Sequence, residues 1–167
     1  MTLLLGPVAC EQLDRKVKLK RFSFFKELDI LLKKELRLDY DIVIQAAAIS
    51  DFAPKFTGQK KISSHQKELK LTLKPTVKLI NCLRMFKPRA FLVGFKFEPH
   101  IETKHLIEKT RKLIKSANLD LAVGNHLKNK RYNAYLINRK KIAGPFLSKS
   151  AMTNSLIRLI RRAYVRK

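Results

Sequence analysis

The sequence predicts an α/β domain built on a mostly parallel sheet, and three observations predict it. Short apolar runs of the kind buried in parallel sheets recur at residues 2–5, 41–47, 90–97 and 119–123. Stretches with apolar residues at helical spacing lie between several of these runs. Strand and helix patterns therefore alternate along the chain, as parallel pairing through helical crossovers requires.

Taken in order, residues 2–5 form a buried strand that Gly6 and Pro7 close. Val17 and Leu19 alternate with lysines, as in a short edge strand. Phe24, Leu28, Leu31, Leu32 and Leu36 repeat at helical spacing. In residues 41–47 the run Ile42, Val43, Ile44 suits a sheet interior, and Ala46, Ala47 and Ala48 are small enough for a ligand to approach the backbone. Residues 54–66 read as a polar loop, Leu69, Leu71 and Leu73 alternate as a further strand, and Pro75 is placed to open a short helix. Residues 90–97 are the next strand, and a helix is predicted over 98–116. Residues 119–123 are a fourth buried strand, ending at Gly124 and Asn125. Residues 132–137 and a turn near 138–141 suggest a hairpin, and Ser148 is a candidate N-cap for a last amphipathic helix through Leu156 and Ile160. With no internal repeat or low-complexity segment, residues 1–167 read as a single domain.

A chain of 167 residues, 46% of them hydrophobic, can bury a core of its own. Its formal net charge of +24 raises nucleic-acid binding, because neutralising phosphates gives sequence-independent affinity. The basic residues are nevertheless scattered, from residues 16–21 to Arg161 and Arg162, and do not form one tail or helix face. Phe24, Phe25, Phe52, Phe95 and Phe97 sit mainly on apolar faces and not between basic residues. The pattern favours a solvated basic surface without nucleic-acid binding, and such a surface also attracts small anionic substrates. Cys10 and Cys82 are the only cysteines, which fits a reducing cytoplasm and argues against a disulfide scaffold. The first ten residues lack a charged n-region and break at Gly6 and Pro7, so they do not read as a secretion leader. No apolar stretch is long enough to span a membrane. His65, His100, His105 and His126 have no metal-ligand spacing. In open α/β sheets ligands bind beyond the carboxyl ends of strands, which places a site after residues 41–47, where Asp51 and Lys61 follow.

These motifs resemble those of the phosphopantothenoylcysteine synthetase family, the ligase domain of coenzyme A biosynthesis. TLLLGPV at 2–8 is similar to the family's VTLxSGPV strand, and DIVIQAAAISDF at 41–52 to its D-x-x-I-x-A-A-A-V-A-D-Y. KKI at 60–62 looks like its KIKK loop, and VGFKFE at 93–98 like its V-G-F-A-x-E. Lys112 and Leu113 with LDLAVGN at 119–125 resemble its K-L and LDLIVANDV, and Ser148 to Ser150 the start of its closing helix. Order and spacing hold over nearly the whole chain.

The resemblance implies a Rossmann-like, doubly wound, three-layer α/β/α fold. It implies that CTP or ATP, with Mg²⁺, activates the carboxylate of 4′-phosphopantothenate. Pyrophosphate leaves, and the amine of cysteine attacks the acyl-nucleotide. That chemistry needs charge neutralisation around a triphosphate, and Lys61 becomes the candidate catalytic residue. The implied nucleotide-binding set is Gln45, Ala46, Ala47, Asp51, Lys61, Phe95, Lys112 and Lys115, with Pro75, Thr76 and Val77 in a nucleotide-contacting loop. No protein metal site is implied, and the cytoplasmic family members are generally dimers. Three motifs depart from the pattern: N-P-D-I/L reads Lys74, Pro75, Thr76, Val77; A-N-D-V reads Gly124, Asn125, His126, Leu127; and A-A-E-T reads Lys96, Phe97, Glu98, Pro99. The family's first strand and Gly-rich loop have no counterpart here. In the doubly wound topology that strand lies between residues 2–5 and 41–47, so unpaired edges are expected there, leaving three alternatives: an earlier start, a complementing subunit, or a repacked chain without ligase activity. Two alternatives stay open: a basic nucleic-acid-binding α/β module, and a non-catalytic remnant that binds nucleotide.

Overall fold

The computed structural model describes residues 1–9, 13–55, 68–128 and 131–165. Its first elements are β1 (Thr2–Leu5), β2 (Lys18–Arg21), α1 (Phe25–Glu35), β3 (Ile42–Gln45), β4 (Phe52–Pro54) and β5 (Leu73–Pro75). There follow α2 (Leu79–Phe86), β6 (Phe91–Glu98), α3 (Thr103–Ala117), β7 (Leu121–Lys128), β8 (Arg131–Ile137), β9 (Ile142–Phe146) and α4 (Lys149–Val165). They fall into two compact units, one of Met1–Ala47 with Leu79–Lys167 and one of Ala48–Lys78.

In the larger unit a five-stranded sheet runs in the order β3-β6-β7-β8-β9. β3, β6 and β7 are parallel, and β8 and β9 extend the sheet antiparallel. Alternation along the strands sends Leu92, Ala122, Tyr135 and Ile137 to one face, where Leu83 of α2 and Leu106 and Ile114 of α3 cover them. Val93, Val123, Ala134 and Leu136 go to the other face, under Met152 and Leu156 of α4. This is the predicted three-layer α/β/α arrangement. Ser148 caps α4 as expected: its Oγ accepts from the Ala151 amide at 3.1 Å.

β1 and β2 form a separate parallel pair, with Thr2 beside Lys18 and Leu5 beside Arg21. Among the described residues β1 has β2 as its strand partner and β3 has β6, so the sheet is interrupted between β1 and β3 as the motif order predicts. A buried carboxylate ties these pieces together. Glu35, 5% exposed at the end of α1, accepts from Lys20 Nζ of β2 and from Tyr40 Oη at 2.5 Å. Because that hydroxyl proton is given to Glu35, Thr2 Oγ1 of β1 donates to Tyr40 Oη at 2.7 Å. The hydrogen bond from Lys20, then that from Tyr40, holds the Glu35 carboxyl below its ordinary range, against the opposing effect of burial.

The smaller unit holds the antiparallel pair β4–β5, with Phe52 opposite Pro75 and Pro54 opposite Leu73. Several expectations are corrected here and nearby. Leu69 and Leu71 lie exposed and outside any strand, because the β4 partner is only three residues long. Pro75 ends β5 instead of opening a helix, and α2 begins at Leu79. Glu98 closes β6, so α3 starts only at Thr103. β7 does not stop at Gly124 but runs to Lys128, since Gly124 is the strand residue over which α3 packs: a Cβ there would lie 2.6 Å from Thr110 Oγ1.

Candidate functional site at the carboxyl ends of β3 and β6

β3 delivers Gln45 opposite Gly94 of β6, and Ala46 and Ala47 follow, exposed, beyond the end of the strand. Gln45 Oε1 is buried and has no hydrogen-bond partner among the described residues, an acceptor left unsatisfied where a ligand belongs. Gly94 lets the helix layer approach: a Cβ there would meet Leu119 Cδ1 at 2.6 Å and Ile80 Cδ1 at 2.9 Å. Phe95, the next residue, points to the opposite face and packs half-buried against the cluster under α4. That placement follows from the two-residue period of the strand.

The end of β6 carries a charged cluster that the predicted site set omits. Glu98 Oε1 accepts from Lys96 Nζ at 3.0 Å and from Lys109 Nζ of α3 at 3.1 Å. Those two hydrogen bonds, Lys96 first, lower the Glu98 pKa in spite of burial. The signal was available, because Glu98 is the last residue of the Val93–Glu98 motif. One strand over, His126 is fully buried. Its Nδ1 lies 2.8 Å from the Ile101 carbonyl, which makes that nitrogen the donor and ties the segment before α3 to β7, while Nε2 is buried without a partner among the described residues. Lys112 and Lys115 are exposed on α3, farther toward its C-terminus than Lys109.

In the smaller unit, the fold brings Asp51 next to the Pro75–Thr76 segment. The Thr76 amide donates to the Asp51 carbonyl at 2.9 Å, and Thr76 Oγ1 donates to the Ser50 carbonyl at 2.6 Å. The Asp51 side chain and Val77 are exposed, and Thr76 is half-buried. Lys61 and His65 lie outside the described residues. Among the described residues no group of three or more His, Cys, Asp or Glu could hold a metal ion. None of the helices in the described residues is long and apolar enough to cross a membrane.

This is a Rossmann-like α/β domain with Gln45 and the small residues Ala46 and Ala47 at the carboxyl end of a parallel strand. Solved structures share the fold. The DNA/pantothenate metabolism flavoprotein from Streptococcus pneumoniae superimposes with a TM-score of 0.85 at 22% identity, covering 97% of this chain and 80% of that one. A Cab2 variant in complex with phosphopantothenate-cysteine superimposes with a TM-score of 0.70 at 21% identity, covering 91% of this chain and 56% of that one. The model of the DNA/pantothenate metabolism flavoprotein C-terminal domain family matches residues 1–164, and the chain belongs to that family. Among curated relatives, the coenzyme A biosynthesis bifunctional protein CoaBC of Thermococcus kodakarensis is 46% identical over 89 residues, 53% of this chain and 22% of that protein. The CoaBC of Methanocaldococcus jannaschii is 31% identical over 135 residues, 77% of this chain and 32% of that protein. The chain therefore spans between a fifth and a third of the length of these two relatives.

Proposed function

We propose that this chain is the ligase portion of a coenzyme A biosynthesis enzyme, joining 4′-phosphopantothenate to cysteine with a nucleoside triphosphate as activator. The observation that carries this reading is the family match over residues 1–164. The relatives named for coenzyme A biosynthesis and the fold neighbour holding phosphopantothenate-cysteine support it. In the reaction a carboxylate oxygen of phosphopantothenate attacks the α-phosphorus of CTP or ATP, and pyrophosphate leaves. The cysteine amine then attacks the acyl carbon, loses a proton and expels the nucleoside monophosphate, leaving an amide. The resemblance to the family assigns nucleotide binding to Gln45, Ala46, Ala47 and Phe95 of the larger unit, and likewise to Asp51, Pro75, Thr76 and Val77 of the smaller unit. Lys61 supplies positive charge to the phosphates. Mg²⁺ enters with the nucleotide, because it binds through substrate phosphates and one or two carboxylates, and Asp51 is the exposed acid among these residues.

The interrupted sheet favours a second form of the same reading, in which the chain binds nucleotide but turns over only beside a second copy or a complementing subunit. Thermal denaturation with CTP or ATP and Mg²⁺ tests both forms. Nucleotide should raise the melting temperature, and Lys61→Ala or Asp51→Ala should abolish the rise. A folded sample that no nucleotide stabilises would remove the proposal.

A further inference from the structure

We propose that a second anion site, specific for phosphate groups, lies between the last turns of α3 and the β8–β9 turn. A cleft of about 310 Å³ is lined there by Arg111, Ile114, Lys115, Asn138 and Arg139. Arg111 and Lys115 are four residues apart and so share one face of the helix, while buried Ile114 floors the cleft. The opposite wall is held in place. Asn138 Oδ1 accepts from the amides of Lys140 at 2.9 Å and Lys141 at 2.7 Å, and the Asn138 amide donates to the Lys141 carbonyl at 3.0 Å. The Arg139 guanidinium donates to Asn118 Oδ1 at 2.5 Å, which orients it and leaves its other donors for a ligand.

No carboxylate among the described residues neutralises these cations. Among the described residues Arg111, Lys115 and Arg139 form no ion pair, and nearby Asp120 is held by Arg84 at 2.7 Å. The end of α3 presents about half a negative charge, which opposes an anion. Three full positive charges outweigh it, and the terminal Ile114 carbonyl is already taken by the amides of Asn118 and Leu119. Paired guanidinium donors with an ammonium suit phosphate oxygens, which accept forked hydrogen bonds. The place is separate from the carboxyl ends of β3 and β6. α3 leaves that end after β6 and travels roughly 22 Å before β7 begins, so the cleft sits at the amino end of β7. The site would take the phosphate of a small metabolite or of a nucleic-acid backbone.

The test follows backbone amide shifts in the full chain by NMR, with inorganic pyrophosphate as one probe and an oligouridylate RNA as the other. Pyrophosphate should shift amides of Arg111 to Asn118 and Asn138 to Lys141, and Arg139→Ala should weaken this binding roughly tenfold, as loss of a charge-assisted hydrogen bond does. Shifts at the same amides with the RNA alone, falling steeply with salt, would assign the phosphate to a nucleic-acid backbone and still support the site. If neither probe moves these amides, or Arg139→Ala and Lys115→Ala bind as the parent does, the proposal is overturned. Nucleotide stabilisation in the same samples is a separate readout, and its absence bears on the ligase reading alone.

Discussion

Replacing Glu35 by alanine should destabilise the packing of the β1–β2 pair against the end of α1 and the segment that leads into β3. The carboxylate is 5% exposed and accepts from both Lys20 and Tyr40, so its loss strands an ammonium and a hydroxyl at once. Breaking a fully buried pair costs about 3–5 kcal/mol. The Lys20 side chain is 21% exposed and regains some water, which brings the expectation to about 2–4 kcal/mol. For a domain of this size that is roughly a 6–12 °C fall in Tm, read by calorimetry and by the urea midpoint. The pH dependence gives a second check. Folding lowers the Glu35 pKa, so the stability it contributes is present above the unfolded value of about 4.3 and is lost as pH falls through the lower folded value. The gap between parent and variant should therefore be widest near neutral pH and close below about pH 4. A Tm change under about 2 °C, or a gap that does not narrow in acid, would refute this account of the network.

Two other substitutions test the packing that positions the site. Arg84 donates to the carbonyls of Asn118, Pro88 and Ala90 and to Asp120, at 2.7–3.0 Å. Arg84→Lys keeps the charge but cannot reach all four acceptors, and should cost about 1–3 kcal/mol in denaturant unfolding; an unchanged midpoint would show that charge alone suffices. Gly94→Val would drive side-chain carbons into Leu119 and Ile80, where a single Cβ already lies within 2.9 Å of both. It should destabilise by about 1–3 kcal/mol and weaken nucleotide stabilisation by shifting β6 against β3; a variant as stable as the parent would contradict the close approach.

Much of the architecture was legible because the strands of a parallel sheet are continuous apolar runs. Residues 2–5, 41–47 and 90–97 all contain strands, and the hairpin and final helix follow their turn and cap residues. What failed was local. Leu69 and Leu71 have strand periodicity but no partner long enough to pair with them, which no pattern in their own segment reveals. Gly124 looks like a strand end in sequence, yet its missing side chain makes room for Thr110 from a helix elsewhere in the chain. At the candidate site the small residues after β3 were readable, since strand ends need them for ligand approach. Glu98 was readable as the end of a motif, but its pairing with Lys109 was not, because that depends on how α3 lies along β6. Arg111, Lys115 and Arg139 likewise belong to a scattered charge pattern until the fold joins a helix end to a hairpin turn.

The most direct measurement of the central claim is product formation. The purified chain would be incubated with 4′-phosphopantothenate, cysteine, Mg²⁺ and either CTP or ATP, and the mixture read by mass spectrometry. The account predicts phosphopantothenoylcysteine with equimolar pyrophosphate, from the chain alone or after addition of a complementing subunit, and neither product with Lys61→Ala. Nucleotide binding without amide in any of these mixtures would contradict the ligase reading and leave a nucleotide-binding domain.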